Sequence, residues 1–255
     1  MADADELAAA QKYFDVIEYR SDIQADDYII PRYSALPYYQ ELCYDVHKLG
    51  AQLVNSYEEH KWIADFEYYE YPIGQYTFKT WDWINLSQAP KDIAYIVKGA
   101  TNSKKFQWNT HMYAPNRTEA SRIGAELAND SMIGTQRILF REYIPLETLE
   151  IGINGLPFTN EWRFFFYQGI LIDKGFYWSC IDDEKKIPPL EQKMVDFAYL
   201  LANKCIDSTT FFVLDIAKTE AGQYILVEIN DGMMSGLNTI NPINFYKSFR
   251  SILHG

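Results

Sequence analysis

Several residue types that mark particular classes of protein are scarce in this sequence. Only three of its 255 residues are cysteines, Cys43, Cys180 and Cys205, and no two of them form a CxxC pair. Neither a disulfide framework nor a zinc site is therefore predicted. The four histidines do not stand at metal-ligand spacing from one another. We expect reduced thiols and a cytoplasmic protein, in the host cytoplasm if the source is viral.

Long hydrophobic runs and an excess of basic residues are also missing. No stretch reaches the roughly 18 uninterrupted apolar residues of a membrane span. The segment MADADELAAAQ lacks the basic start of a signal peptide. Lys and Arg number 23 against 35 Asp and Glu, and the resulting net charge of −12 repels a phosphate backbone. Membrane insertion and binding of free nucleic acid are therefore not expected.

The composition that remains is typical of a globular protein, with 48% apolar and 23% charged residues. Apolar periodicity divides the chain into two predicted domains, residues 1–90 and 91–255. The first begins with a strand, a helix and a strand, as a small α/β unit would, and the second combines hairpins with helices, which predicts an α+β arrangement of antiparallel sheets. The predicted elements are strands at 28–31 and 51–55 around a helix at 35–49, a short helix at 77–83, a hairpin of strands 93–98 and 105–110, a helix at 116–129, a strand at 137–144, a hairpin at 161–179 turning at Gln168 and Gly169, a helix from Pro188 to Lys204, and two closing strands within 211–231.

The closing strands carry polar residues inside otherwise apolar segments. Asp215 lies in FFVLDIAK, and Glu228 and Asn230 lie in YILVEIND. Residues two apart share a strand face, and with a four-residue turn Asp215 would stand opposite Leu226, on that same face. Buried carboxylates are costly unless they are paired or bind a cation, and hard oxygen ligands select Mg²⁺ or Mn²⁺. The alternative is that these are edge-strand acids facing water.

Basic residues form a matching set elsewhere in the second predicted domain. Lys98 ends a strand, Arg163 lies inside WRFFF, and Lys104 and Lys105 follow a loop of small residues, 99–103. Backbone amides of that loop could cradle phosphate oxygens. Phosphoryl transfer from ATP requires magnesium held by acidic residues, with basic side chains on the opposite side, because the phosphate charge must be neutralised and the reacting groups aligned.

Alternatives remain for these basic residues. The two loop lysines could form a solvated turn, and Arg163 could pair with Glu161 or Glu142. Neither GxxxxGK[ST] nor GxGxxG occurs, which excludes P-loop and Rossmann nucleotide sites by motif. No convincing Ser-His or Cys-His arrangement is present either, so a nucleophile from the protein is not predicted.

The order of these residues along the chain resembles that of the ATP-grasp superfamily, with a strand lysine first, then a loop lysine, a strand arginine and the acids of the closing strands. More narrowly, the sequence resembles the phage and bacterial clade of that superfamily named for one Arg and two Lys. The loop is short and has few glycines, so either Lys104 or Lys105 could be the second clade lysine. The likeness extends upstream through IPRYSALPYY and so covers most of the chain. The segments that carry it are IVKGATNSKKFQW, the strand end Glu142-Tyr143-Ile144, EWRFF, LDIAKT and VEINDG.

The resemblance implies a fold in which two α+β subdomains with antiparallel sheets clasp ATP and Mg²⁺, or Mn²⁺, behind a small α/β pre-ATP-grasp domain. It also implies a role for each matching residue. Lys98 and Lys105, or Lys104, would contact ATP phosphates, Arg163 would meet the γ-phosphate or an acyl phosphate, Glu142, Tyr143 and Ile144 would lie at the adenine, Glu147 or Glu150 would hold the ribose hydroxyls, and Asp215, Glu228 and Asn230 would hold the metal. Arg163 and Lys105 would be the catalytic pair.

The function implied is an ATP-dependent carboxylate ligase that forms an acyl phosphate and releases ADP and phosphate. Its partners would be a carboxylate and an amine, thiol or hydroxyl acceptor on a small molecule, peptide or protein. Arg32, at a strand end, could hold a substrate carboxylate. One alternative is a non-catalytic nucleotide-binding assembly factor of the same fold. A glycosidase with paired carboxylates would leave the basic residues unexplained.

Overall fold

Two four-stranded antiparallel sheets dominate the computed structural model, which describes residues 4–65, 72–181 and 183–254. The helices are α1 (Ala4–Ala10), α2 (Tyr39–Lys48), α3 (Tyr57–Ala64), α4 (Trp108–His111), α5 (Arg117–Ala128), α6 (Gln192–Cys205) and α7 (Pro242–His254). The strands are β1 (Tyr28–Ile29), β2 (Gln52–Leu53), β3 (Thr80–Trp81), β4 (Tyr95–Gly99), β5 (Tyr113–Ala114), β6 (Ile138–Glu142), β7 (Thr148–Ile151), β8 (Pro157–Thr159), β9 (Glu161–Tyr167), β10 (Ile170–Phe176), β11 (Phe211–Lys218) and β12 (Tyr224–Asp231).

The sheets follow the antiparallel α+β prediction. One has the strand order β10-β9-β11-β12 and the other the order β3-β6-β4-β5, while β7 pairs with β8 and β1 pairs with β2. None of the helices in the described ranges combines the length and apolar character that crossing a membrane requires.

The sheet of β9 to β12 is covered on both faces. Phe164, Phe165 and Phe166 are all fully buried, and alternate residues of a strand point to opposite faces. Phe164 and Phe166 therefore pack against α6, whereas Phe165 packs in a second cluster that includes Phe245 of α7. Three consecutive phenylalanines fit a strand that has no solvent-facing side.

The amino-terminal unit has the predicted strand-helix-strand order, and β1 and β2 pair in parallel. Its core is shared with the larger sheet, since Tyr39 and Leu42 of α2 lie in the same buried cluster as Phe165. The boundary between residues 90 and 91 stays a prediction, and β3, which precedes it, hydrogen-bonds to β6, which follows it.

Two local predictions are confirmed in detail, the start of the helix at residue 116 and the turn of the hairpin at residues 168–169. The Asn116 side chain accepts a hydrogen bond from the Glu119 amide at 3.0 Å and so caps α5. The hairpin of β9 and β10 turns at Gln168 and Gly169, whose φ angles of 48° and 76° are the left-handed values of a tight hairpin turn.

Three other local predictions are wrong. Residues 80–81 form strand β3 instead of belonging to a helix, because they pair with β6. The predicted strand at 105–110 is a single helical turn, Lys105–Gln107, followed by α4, because β5 takes the place beside β4. The helix predicted from Pro188 begins only at Gln192, after the extended residue Glu191. Pro188 itself is disfavoured in a helix because a proline follows it.

The predicted register of β11 and β12 is also wrong, although the predicted shared face is correct. Asp215 stands opposite Glu228 instead of Leu226 for two reasons. Lys218 pairs with Tyr224, so the turn is one residue longer than predicted, and a bulge between Asp215 and Ile216 adds a second residue, Val227. Ile216 pairs with Leu226, so an unbroken ladder would set Asp215 opposite Val227 and turn Glu228 to the other face.

Candidate active site

One cleft is lined by residues of both large sheets and of the β7–β8 pair. β4 and β6 supply Lys98 and Arg141, and β9 and β12 supply Glu161 and Glu228. Charged side chains therefore enter from opposite walls of one cleft.

Asp215 and Arg163 form a buried, two-pronged ion pair on neighbouring strands. Arg163 donates from Nε and Nη2 to the two carboxylate oxygens of Asp215, both at 2.8 Å. Arg163 also donates from Nη1 to the Gly236 carbonyl at 2.9 Å and to Oδ1 of Asn238 at 3.3 Å. Burial alone would lower the pKa of Arg163, but Asp215 raises it overall, so the guanidinium stays charged. Arg163 thus pairs with Asp215, and not with Glu161 or Glu142, the alternative that the sequence left open.

Lys98 and Glu228 form a second ion pair, which joins the two sheets. Nζ of Lys98 contacts Oε1 of Glu228, and the Lys98 side chain is only 9% exposed. Burial alone would raise the pKa of Glu228, but Lys98, Lys105 and Arg141 hold it at about 2. Glu228 is therefore ionised at neutral pH.

Asn230 links the two ion pairs. Its Nδ2 donates to Oδ2 of Asp215 at 3.0 Å and lies 3.5 Å from Oε2 of Glu228. The three side chains that the sequence predicts to hold a metal thus converge on one face.

Lys104 and Lys105 point in different directions. Lys104 forms an ion pair with Asp130 at 2.5 Å. Lys105 lines the cleft, where its Nζ hydrogen-bonds to the hydroxyl of Tyr177 and lies 4.6 Å from the centre of that ring. Although burial lowers the pKa of Lys105, the contact with Tyr177 and the nearby carboxyl groups of Glu161 and Glu228 raise it overall, so Lys105 stays cationic.

Glu161 is a buried acid whose partner is a hydroxyl. It is 4% exposed and accepts a hydrogen bond from Oγ1 of Thr159 at 3.2 Å. Burial raises its pKa to about 8, with Asp215 adding to the rise and Lys105 and Arg163 opposing it. At neutral pH Glu161 therefore holds its proton for much of the time.

Another part of the cleft lining is apolar and aromatic. Tyr143 contacts Tyr113 edge-on at 5.2 Å and Trp108 at 6.3 Å. The backbone amide of Glu142 donates to Lys79 and that of Tyr143 to Ala94, which ties this end of β6 to its neighbours. Apolar side chains from four segments complete this part of the lining, namely Phe78, Ile96, Met112, Ile144 and Leu146.

One protein family matches most of the chain, over residues 85–248. It is the ATP-grasp domain, family 3 of the clade named for one Arg and two Lys. The chain belongs to this ATP-grasp family. A search of curated proteins gives no significant match.

Solved structures show the same fold at low sequence identity. D-cycloserine synthetase DcsG is 13% identical with a TM-score of 0.58, over 97% of this chain and 93% of that one. A RimK domain ATP-grasp protein from Sphaerobacter thermophilus is 11% identical with a TM-score of 0.59, over 98% and 93%. D-alanine-D-alanine ligase from Aeromonas hydrophila is 16% identical with a TM-score of 0.56, over 89% and 76%.

Some residues that the sequence linked to nucleotide, metal or substrate do not line this cleft, namely Arg163, Asp215, Asn230, Lys104, Glu147, Glu150 and Arg32. The last three have other partners. Glu147 accepts from Asn160 at 3.3 Å, and Glu150 pairs with Lys186 at 2.7 Å on the surface. Arg32 forms an ion pair with Glu6 at 2.7 Å and donates hydrogen bonds to backbone carbonyls of the segment 232–235. The ribose role of the two glutamates stays a prediction, whereas Arg32 holds the loop that follows β12 instead of being open to a substrate.

Sequence reasoning missed Arg141, Tyr177 and Trp178. Arg141 is 7% exposed and lines the cleft, and its position inside the apolar strand ILFRE is the same signal that singled out Arg163. Tyr177 and Trp178 follow the end of β10 and touch Lys105, a contact that no local sequence pattern announces.

The donor set at β11 and β12 fits a magnesium ion. Among the described residues, no group of three or more His, Cys, Asp or Glu side chains gathers as a metal site. Two carboxylates and one amide do converge. The amide nitrogen of Asn230, Nδ2, lies within 3.5 Å of an oxygen of each carboxylate, so the amide would have to turn for its oxygen to bind the cation. Oxygen donors of this kind suit a hard cation.

Proposed function

We propose that the protein is an ATP- and Mg²⁺-dependent carboxylate ligase that works through an acyl phosphate. The observation that carries the proposal is the arrangement of one cleft. Lys98, Lys105 and Glu228 line it beside apolar and aromatic side chains, and the Arg163–Asp215 pair adjoins it, because Asn230 lies between Asp215 and Glu228. Such a cleft matches a triphosphate at one end and a planar base at the other. Membership of the ATP-grasp family supports the same reading.

The proposed nucleotide contacts follow the shape of the cleft. The base lies among the apolar residues near Tyr143 and Ile144, with Glu142 at the end of β6. Lys98 and Lys105 bind phosphate oxygens, and Arg163 holds the γ-phosphate, which becomes the phosphate of the intermediate. Lys104 takes no part, because its ammonium is held by Asp130.

Asp215, Glu228 and Asn230 would hold the magnesium, which supplies charge neutralisation at the phosphates. In the free protein each of the two acids is paired with one of the proposed phosphate-binding cations. The acids thus keep Lys98 and Arg163 compensated and in place while no nucleotide is bound.

The chemistry needs no nucleophile from the protein. An oxygen of the substrate carboxylate attacks the γ-phosphorus, the bond from that phosphorus to the β,γ-bridging oxygen breaks, and ADP leaves with that oxygen. The acceptor then attacks the acyl carbon, loses its proton, and displaces inorganic phosphate. Lys98, Lys105 and Arg163 contribute by placing the γ-phosphate and stabilising the charge that shifts onto the leaving oxygen.

The test is transfer of ¹⁸O from a labelled carboxylate to phosphate. The protein is incubated with ATP, Mg²⁺ and pools of ¹⁸O-carboxylates with amine, thiol or hydroxyl acceptors, and released phosphate is analysed by mass spectrometry. The proposal predicts phosphate carrying one ¹⁸O atom. Lys98→Met should abolish the signal, whereas Arg122→Met, in a surface ion-pair network on α5, should not. ATP binding without turnover in any pool would favour the non-catalytic alternative.

A further inference from the structure

Tyr177 connects two of the cations that the proposed function assigns to phosphate binding. Its hydroxyl accepts a hydrogen bond from Nζ of Lys105, which lies 4.6 Å from the centre of the ring. The guanidinium carbon of Arg163 lies 4.9 Å from the centre of the same ring. One aromatic side chain thus contacts a lysine from the loop after β4 and an arginine from β9.

The backbone of Tyr177 is fixed as firmly as its ring. Its amide donates to the Glu161 carbonyl at 2.9 Å, and its carbonyl accepts from Nδ2 of Asn238. Trp178 stands edge-on to the ring at 5.0 Å. Two backbone hydrogen bonds and one ring contact therefore fix Tyr177, so that its ring can restrict the conformation of a flexible lysine.

A long lysine side chain has many rotamers, so holding one in place costs conformational entropy. A tyrosine ring attracts cations through its electron-rich face. Lys105 and Trp178 line the cleft, whereas the residues of the described chain that line it do not include Tyr177. Tyr177 thus stands behind Lys105 and acts on the nucleotide only through the cations that it touches.

We propose that Tyr177 is a positioning residue that holds Lys105 and Arg163 in place for the terminal phosphates of ATP. This inference rests on the proposed function. It predicts that the loss of binding affinity on replacing Tyr177 grows with the number of phosphates in the nucleotide. The reason is that Lys105 and Arg163 are assigned to the phosphates and not to the base.

The experiment compares the binding of Mg²⁺-ATP, Mg²⁺-ADP and AMP by calorimetry to the wild type, Tyr177→Phe and Tyr177→Leu. Loss of the ring and the hydroxyl in Tyr177→Leu should weaken ATP binding about tenfold, as expected for a lost cation–π contact and hydrogen bond, and leave AMP binding within about twofold. Tyr177→Phe keeps the ring and should weaken ATP binding by about threefold. Tyr199→Phe, which alters an outer helix residue packed on Phe166, is the matched control and should change nothing.

Three outcomes are decisive. Equal loss of ATP and AMP affinity in both Tyr177 variants would show a general structural role and overturn the inference. Unchanged ATP affinity in Tyr177→Leu would overturn it as well. Failure of the wild type to bind ATP would instead overturn the proposed function itself. If Tyr177→Leu does not fold, the ratio of ATP to AMP affinity in Tyr177→Phe decides, since a ratio equal to that of the wild type contradicts the inference.

Discussion

Replacing Asp215 by Asn leaves the guanidinium of Arg163 buried without its counter-charge. Arg163 makes two hydrogen bonds of 2.8 Å to Asp215, and the side chains are only 9% and 1% exposed. Removing one partner of a buried ion pair costs about 3–5 kcal/mol. Arg163 keeps its contacts with Gly236 and Asn238, so we expect the lower end, about 3 kcal/mol. For a protein of this size that lowers the melting temperature by about 6–12 °C.

The assay is urea unfolding of Asp215→Asn, Arg163→Met and the double variant, with Asp45→Asn as the control. Asp45 forms an ion pair of the same 2.8 Å length with Arg20, but both side chains are 49% exposed, so its replacement should cost less than about 1 kcal/mol. The double variant should be more stable than the sum of the single losses predicts, because no lone charge remains buried. A loss in Asp215→Asn no larger than that of the control would refute this reasoning.

Three further predictions concern ionisation, the two loop lysines and a helix cap. The folded pKa of Glu161, about 8, lies above the ordinary carboxyl value, so the stability that this group contributes is full below about pH 4.5 and is lost as the pH rises toward 8. In urea unfolding at each pH, the free energy of unfolding of Glu161→Gln should therefore rise relative to that of the wild type between pH 5 and 8, by up to about 1.4 kcal/mol per pH unit, and a constant difference would contradict this. Lys105→Met should weaken Mg²⁺-ATP binding about tenfold or more, since a charge-assisted hydrogen bond is lost, whereas Lys104→Met should stay within about twofold, and the reverse order in calorimetry would be contrary to the structure. Asn116→Ala should lower the free energy of unfolding by about 1 kcal/mol through loss of the cap on α5, measured against Asn129→Ala at the other end of the same helix; equal losses would argue against the cap.

Short-range periodicity explains why much of the fold could be predicted. Apolar strands such as EWRFFFY and FFVLDIAK are recognisable because charged residues inside them stand out, and this singled out Arg163 and Asp215. The tight turn at Gln168 and Gly169 and the cap at Asn116 are likewise set by neighbouring residues. Local chemistry was sufficient in each case.

The features that could not be predicted depend on residues that are distant in the sequence. The bulge at the level of Val227 decides that Asp215 faces Glu228, and it arises from the fit of two strands instead of from a turn motif. The opposite directions of Lys104 and Lys105 follow from the helical turn that begins at Lys105. The ionisation of Glu161 depends on burial by several elements at once.

The central claim is that this cleft binds ATP through a magnesium site at β11 and β12. The most direct measurement is a calorimetric titration of ATP into the wild type with and without Mg²⁺, repeated on Glu228→Gln, which keeps the shape of the side chain and removes its charge. The account predicts micromolar binding that requires Mg²⁺ and is lost in Glu228→Gln. An absence of binding in the wild type, or binding indifferent to both Mg²⁺ and Glu228, would contradict it.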